Sequence, residues 1–195
     1  MKLACVILAA GNSVRFGKNK LKARFRGESL FERALACVPV ECFYKTVVVT
    51  QYEDLAKQAE KAGFTAVRNP EPDKGISLSL RLGLEQVKSA DAVMFMVADQ
   101  PWLQKSTVRG LVETYKKEPG TIVAPCFGKR RGNPVIFPNE IFDELSGVEG
   151  DFGGKTVIMA HTDKLRLMPI MNEDELNDVD TVEQLESGRF RYEQD

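Results

Sequence analysis

Residues 8–27 read LAAGNSVRFGKNKLKARFRG, and from Arg15 to Arg26 they hold six basic residues and no acidic one. The full chain of 195 residues has a formal net charge of −1, so this positive charge is local. Gly11 and Gly17 let a backbone turn and approach a ligand closely. Ser13, Arg15, Lys18 and Lys20 stand where amides and cations cradle phosphates. The spacing is neither GxGxxG nor GxxxxGK[ST], which removes the dinucleotide and P-loop fingerprints. By itself such a loop is as readily a solvated turn. Lys22, Arg24 and Arg26, alternating with Ala23 and Phe25, fit the exposed face of an irregular strand. If the segment is extended, Lys20 and Lys22 point to opposite faces.

Two further stretches offer carboxylates. Asp99-Gln100-Pro101 follows the apolar run VMFMVA. An aspartate there either caps the next turn or faces a phosphate loop across a Mg²⁺ ion, which takes one or two protein carboxylates plus phosphate oxygens. Gly150-Asp151-Phe152-Gly153-Gly154-Lys155 places Asp151 amid flexible backbone, as a turn before a helix or as a second metal ligand. Other chemistry is scarce. His161 is the single histidine, which excludes a two-histidine zinc motif, and no GxSxG elbow accompanies it. Cys5, Cys37, Cys42 and Cys126 form no CxxC pair and read as free thiols in a reducing compartment.

These groups need elements to position them. Apolar runs and helical patterns alternate: LACVILA, the helix SLFERALACV with Ser29 and Glu32 as a capping box, the strand KTVVVT, the helix YEDLAKQAEKAG, TAVRN, the helix ISLSLRLGLEQVK, the strand DAVMFMVA, the helix KSTVRGLVETYKK and TIVAP. Two strand-like runs around Phe127-Gly128-Lys129 then predict a hairpin and an antiparallel component. PNEIFDEL, TVIMAH and LRLMPI follow, and the acidic NEDELNDVDTVEQL comes after them. The expectation is one domain over residues 1–195, a three-layer α/β sandwich with a mostly parallel sheet and a small mixed extension. Ligands bind such sheets at the carboxyl ends of the strands, where all three stretches fall. With 43% hydrophobic and 28% charged residues the chain reads as globular and cytoplasmic. No run approaches the ~20 apolar residues of a membrane span. MKLACVILAA leads into NSVRFGKNK rather than a signal-cleavage region. Near-neutral charge argues against nucleic-acid binding.

Taken in order, LAAGNSVRFGKNK, NP followed by GISLSL, DQP, GNPVIF and GDFGGK resemble the molybdenum-cofactor nucleotidyltransferases. The likeness is to the cytidylyltransferase branch and its molybdenum-hydroxylase accessory relatives, over nearly the whole chain. The resemblance implies a Rossmann-like αβα sandwich of the nucleotide-diphospho-sugar transferase type. It implies that Leu8, Ala9, Ala10, Gly11 and Ser13 line a nucleotide pocket and that Arg15 and Lys20 hold the triphosphate. Asp99 becomes the main Mg²⁺ ligand and Asp151 the second, with Asn69, Gly75 and Ser79 near base and ribose. Gly132, Asn133 and Pro134 shape the side where the pterin phosphate enters. Asn133 stands where relatives often carry His, Lys155 where they often carry Arg, and Lys22 and Arg24 replace apolar residues.

The implied reaction joins the phosphate of molybdopterin to the α-phosphate of CTP, with pyrophosphate leaving. The acceptor brings its own nucleophile, so the catalytic set is charge: Lys20, Arg15 and Asp99. Cytidylyl relatives tend to carry Ala-Ala-Gly where guanylyl relatives carry Ala-Gly-Gly, so with Ala9-Ala10-Gly11 the resemblance implies CTP over GTP, a methyl group at position 10 crowding a purine. Other phosphorylated acceptors, or a non-catalytic role delivering cofactor to a molybdenum hydroxylase, are the competing readings.

Overall fold

The computed structural model describes residues 1–12, 16, 19–150, 153–181 and 183–185. The chain runs through β1 (Leu3–Ala9), β2 (Arg24–Phe25), β3 (Glu28–Ser29), α1 (Leu30–Ala36), β4 (Lys45–Thr50), α2 (Glu53–Lys61), β5 (Thr65–Arg68) and α3 (Ile76–Glu85). It continues through β6 (Ala92–Val97), α4 (Lys105–Lys117), β7 (Ile122–Phe127), β8 (Arg130–Arg131), β9 (Val135–Pro138), α5 (Phe142–Ser146), α6 (Lys155–Ala160) and β10 (Leu165–Pro169). One sheet has the strand order β10-β7-β9-β6-β1-β4-β5, with β8 paired to the edge of β7. Helices cover both faces, which gives the three expected layers. No helix among the described residues is long and apolar enough to cross a membrane.

The central strand shows why its sequence is apolar throughout. Leu3, Cys5, Ile7 and Ala9 of β1 pack into the core beneath α1, α2 and α4, while Ala4 and Val6 pack beneath α3, α5 and α6. A strand covered on both faces has no polar side to alternate with. β4 and β6 flank β1 in parallel register, pairing Leu8 with Val49 and with Val97. The carboxyl ends of β1 and β6 therefore open side by side.

Local rules hold at the helix ends. The Ser29 hydroxyl accepts from the Glu32 amide, and the Glu32 carboxylate accepts from the Ser29 amide, closing the capping box on α1. The hairpin is met in part. β7 turns at Gly128 into β8, pairing Cys126 with Arg131, but the longer second run does not stay with it. As β9 it inserts between β7 and β6, antiparallel to β6 from Phe95–Val135 to Ala92–Pro138. Pro134, which brings no N–H to a ladder, marks the break.

α3 sits close on the sheet because Gly83 has no side chain. A Cβ there would collide with the Val6 side chain and lie 3.2 Å from Val49 Cγ2. Both valines are fully buried, so neither has room to give. Gly83→Ala is expected to destabilise the fold by about 1–3 kcal/mol through overpacking. Urea titration against the wild-type chain measures it, and an unchanged midpoint would mean that α3 slides freely over the sheet.

Candidate functional site

A cleft of about 330 Å³ opens at the ends of β1 and β6, lined among others by Leu8, Ala10, Gly11, Gly75, Ser79 and Asp99. Six positions that the resemblance assigned to nucleotide or metal thus share one wall. The loop leaving β1 is fastened from outside. The Gln51 amide donates to the Ala10 carbonyl at 2.9 Å and to Asn12 Oδ1 at 2.8 Å, and the Tyr52 hydroxyl donates to the Gly11 carbonyl at 3.1 Å. Across the cleft, Asn12 donates to Asp73 at 2.6 Å. Gly75 takes φ +83° as the chain enters α3, a conformation that a side chain would strain. Ala9 is buried in the strand end. Asn69 stands behind the wall, 1% exposed, donating to the Ser79 hydroxyl at 2.9 Å and accepting from the Glu71 amide. It positions Ser79.

Lys20 reaches the cleft from a 3-10 turn over Lys20–Lys22, where the extended alternative predicted a strand. Asn19 caps that turn, its side chain accepting from the Leu21 amide. Lys20 and Lys22 still diverge. Lys20 Nζ lies 2.7 Å from Asp99 Oδ2, whereas Lys22 Nζ lies 2.7 Å from Asp54 Oδ2 on the outside. Arg24 and Arg26 belong to the β2–β3 hairpin: Arg24 donates to the Gly27 carbonyl, and Arg26 stacks 5.3 Å from the centre of the Phe25 ring.

Composition alone missed the partner that completes this site. Lys20 Nζ also pairs with Asp180 at 3.0 Å, and the Val179 amide donates to the Asp99 carbonyl at 2.9 Å. The acidic run near the carboxyl end is therefore laid along the end of β6. Val179 is fully buried with Phe25, Leu30 and Trp102, and Glu175 accepts from the Gln104 amide and the Thr107 hydroxyl at the start of α4. The signal in the sequence was the apolar valine between Asp178 and Asp180. Burial pulls the Lys20 ammonium towards neutrality, but Asp99 and Asp180 outweigh it and its pKa rises. Asp178 is pushed up to about 6, by loss of solvation and then by the Asp99 charge, against a hydrogen bond from Gln100 and the charge of Lys20.

The donor set suits a hard cation. Asp99 and Asp180 already converge on an ammonium, and the buried Asp99 Oδ1 has no hydrogen-bond partner among the described residues. Among the described residues no three metal-binding side chains form a closed cage, and Mg²⁺ characteristically takes one or two carboxylates and keeps its other positions for water and phosphate. Ser13, Arg15, Gly17, Lys18 and Asp151 lie outside the described residues.

A second cavity, of about 260 Å³, adjoins the cleft and shares Leu8, Ile76 and Val97 with it. Gly132 and Asn133 line it, and Pro134 is buried next to them. A Cβ on Gly132 would lie 2.6 Å from Leu176 Cδ2, so the segment leading to Asp180 packs directly on this wall.

The raised pKa of Asp178 has a consequence for stability. The unfolded carboxyl titrates near ~4, so between that pH and about 6 the folded state holds a proton that the unfolded state lacks. This contribution is gained as pH falls through that window and lost as pH rises through it. With EDTA present, Asp178→Asn is expected to raise Tm over wild type more at pH 7.5 than at pH 4.5. An equal difference at both pH values would contradict the assignment.

The comparisons with known proteins agree with this geometry. The chain is 24% identical to the purine catabolism protein PucB of Bacillus subtilis over 196 residues, covering 94% of each. It is 26% identical over 191 residues to the nicotine blue oxidoreductase of Paenarthrobacter nicotinovorans, covering 92% of this chain and 93% of that one. Among solved structures, a nucleotidyl transferase from Methanothermobacter, Mth528, superposes with a TM-score of 0.83 at 18% identity, over 99% of this chain and 98% of that one. Residues 5–165 match the MobA-like NTP transferase domain, and the chain belongs to that family, as its motifs led us to expect.

Proposed function

We infer that this protein transfers the cytidylyl group of CTP to the phosphate of molybdopterin, with Mg²⁺, and releases pyrophosphate. One observation carries the reading: two contiguous cavities meet at the strand ends, one bearing carboxylates, of which Asp99 is paired with Lys20, the other largely apolar and bearing cations. A metal–triphosphate complex suits the first. An anionic acceptor that brings no counter-cation for its phosphate suits the second. The molybdenum-cofactor identity of that acceptor rests on the motif resemblance, and the lean to CTP rests on Ala10 in the cleft wall.

The chemistry then needs positioning and charge. An acceptor phosphate oxygen attacks the α-phosphorus, a P–O bond forms, and the bond to the β-phosphate oxygen breaks with its electron pair leaving on pyrophosphate. No proton must move, so no protein base is required. Asp99 and Asp180 would hold Mg²⁺, which would supply Lewis-acid neutralisation of phosphate charge. Lys20 carries positive charge beside that pair and offsets negative charge growing on the leaving group. The loop clamped by Gln51 and Tyr52 presents the Ala10–Gly11 backbone at a fixed place, which lowers the entropy cost of reaching the reactive geometry.

Three measurements test the reading. Pyrophosphate release is expected with CTP, molybdopterin and Mg²⁺, faster than with GTP, and to vanish in Asp99→Asn. Absence of release with CTP, GTP and ATP would leave cofactor delivery as the function. Lys20→Ala is expected to lose ~2–4 kcal/mol of transition-state stabilisation in kcat/KM, the scale of a removed electrostatic donor. Lys22→Ala breaks only an exposed ion pair, worth about 0–1 kcal/mol in stability, and should turn over almost as the wild type does. Equal losses in kcat/KM would mean a diffuse cationic surface instead of a positioned site.

A further inference from the structure

The cavity beside the nucleotide cleft carries charge that the cleft does not explain. Its walls are mostly apolar, with Leu80, Phe95, Val135 and Ile158, and two cations reach it: Arg131 and Lys155. Among the described residues no carboxylate lines it, whereas Asp73 and Asp99 both line the neighbouring cleft. The two arginines of β8 make the contrast sharp. Arg130 is committed to structure, donating to Glu173, to Asn177 Oδ1 at 2.8 Å and to the Leu176 carbonyl at 3.0 Å. Strand alternation sends Arg131 to the other side, where it is half-buried and has no acceptor among the described residues. Burial lowers its pKa, as expected for a guanidinium drawn from water without an anion to compensate. Lys155, at the start of α6, likewise has no ion-pair partner among the described residues.

The wall between these cations is fixed closely. Gly154 lies so near Phe137 that a Cβ there would be 2.7 Å from the ring, and Phe137 in turn packs edge-on against Phe95. The aromatic floor thus presents a surface for a ring-shaped body, while the rim presents positive charge. An apolar body with one acidic group satisfies both at once. An unattached inorganic anion leaves the floor wet, and a neutral body leaves both cations uncompensated.

We propose that Arg131 and Lys155 form an anion clamp for the second substrate, gripping an oxyanion carried by a bulky, ring-bearing acceptor while the apolar walls hold its body. The assignment deepens the transfer reaction above and takes its acceptor side from it. The oxyanion is either the acceptor's phosphate or an oxo-metal group it carries, since both present oxygens to a guanidinium fork and an ammonium. The clamp is separate in role from Lys20, which serves the triphosphate. Arg131 and Lys155 therefore govern acceptor affinity and leave nucleotide affinity alone.

The test begins with a probe that does not depend on the transfer reaction. Fluorescence titration compares 1-naphthyl phosphate with uncharged 1-naphthol on the wild-type chain and on the Arg131→Gln/Lys155→Gln double variant. The wild type is expected to prefer the phosphate by about tenfold or more, and the double variant to lose that preference. Charge-retaining Lys155→Arg should keep it, and matching melting curves exclude misfolding. Equal binding of both probes by the wild type, or a preference surviving in the double variant, overturns the clamp. A second arm measures turnover. With molybdopterin as acceptor the double variant should raise acceptor KM about tenfold, with CTP KM unchanged. A rise in CTP KM instead would assign the cations to the nucleotide and overturn the proposal. Equal loss for metal-free and molybdenum-loaded molybdopterin identifies the phosphate as the gripped group, and loss confined to the loaded form identifies the oxo-metal group. Failure of all transfer, with the naphthyl preference intact and lost in the double variant, would refute the reaction and leave the clamp standing.

Discussion

Lys20, Asp99 and Asp180 come from parts of the chain that share no local contact, and the ammonium of Lys20 holds the two carboxylates at one point. Two carboxylates brought together without a cation repel each other, and partial burial makes that repulsion stronger than in water. Their approach is therefore a constraint that the surrounding fold must satisfy. The Val179 amide on the Asp99 carbonyl fixes the register of the late segment against β6. Buried Val179 holds the segment down, and Glu175 ties its other end to the start of α4. On the opposite side Arg33 donates to the Pro101 carbonyl and lies over Phe25, joining the hairpin to the turn that follows Asp99.

That arrangement separates charge along the mouth of the sheet. Carboxylates gather in the cleft that an NTP with its metal would enter, and cations gather in the adjoining cavity, with Leu8, Ile76 and Val97 as the shared boundary. Two polyanions can be brought to reaction distance only if each meets its own source of positive charge. On the proposed reading a metal travelling with the triphosphate would supply one source, and fixed side chains the other.

Much of this was legible in the sequence where the physics is local. The continuous apolar runs of β1 and β6 declared burial on both faces. Ser29 and Glu32 declared a helix start, and Leu8 to Gly11 and Asp99 fell at strand ends where ligands bind such sheets. What remained hidden depends on contacts distant in sequence. The alternation of Lys22, Arg24 and Arg26 imitated a strand, yet Asn19 capping the Leu21 amide folds the first part into a 3-10 turn. The acidic run NEDELNDVDTVEQL received no role from its sequence, because nothing local says that Val179 will be buried or that Lys20 will meet Asp180. β9 likewise read as the return strand of a hairpin, and only the open edge of β6 decides where it inserts.

The side chains that commonly carry out covalent catalysis occupy other places. The Cys5 thiol is fully buried in the central strand, and burial raises its pKa so far that it stays protonated. Cys37 is pushed up to about 11, mainly by burial, and donates to the Leu103 carbonyl. His161 closes α6 and pairs with Glu144 at 2.8 Å. None of the three lines the cleft or the cavity. A reaction whose acceptor is already an anion has no use for a protein nucleophile, and its barrier is set by charge brought together and charge released. Among the described residues, the groups at the strand ends include Lys20, Asp99, Asp180 and backbone held at fixed positions. They are the groups that act on that kind of barrier.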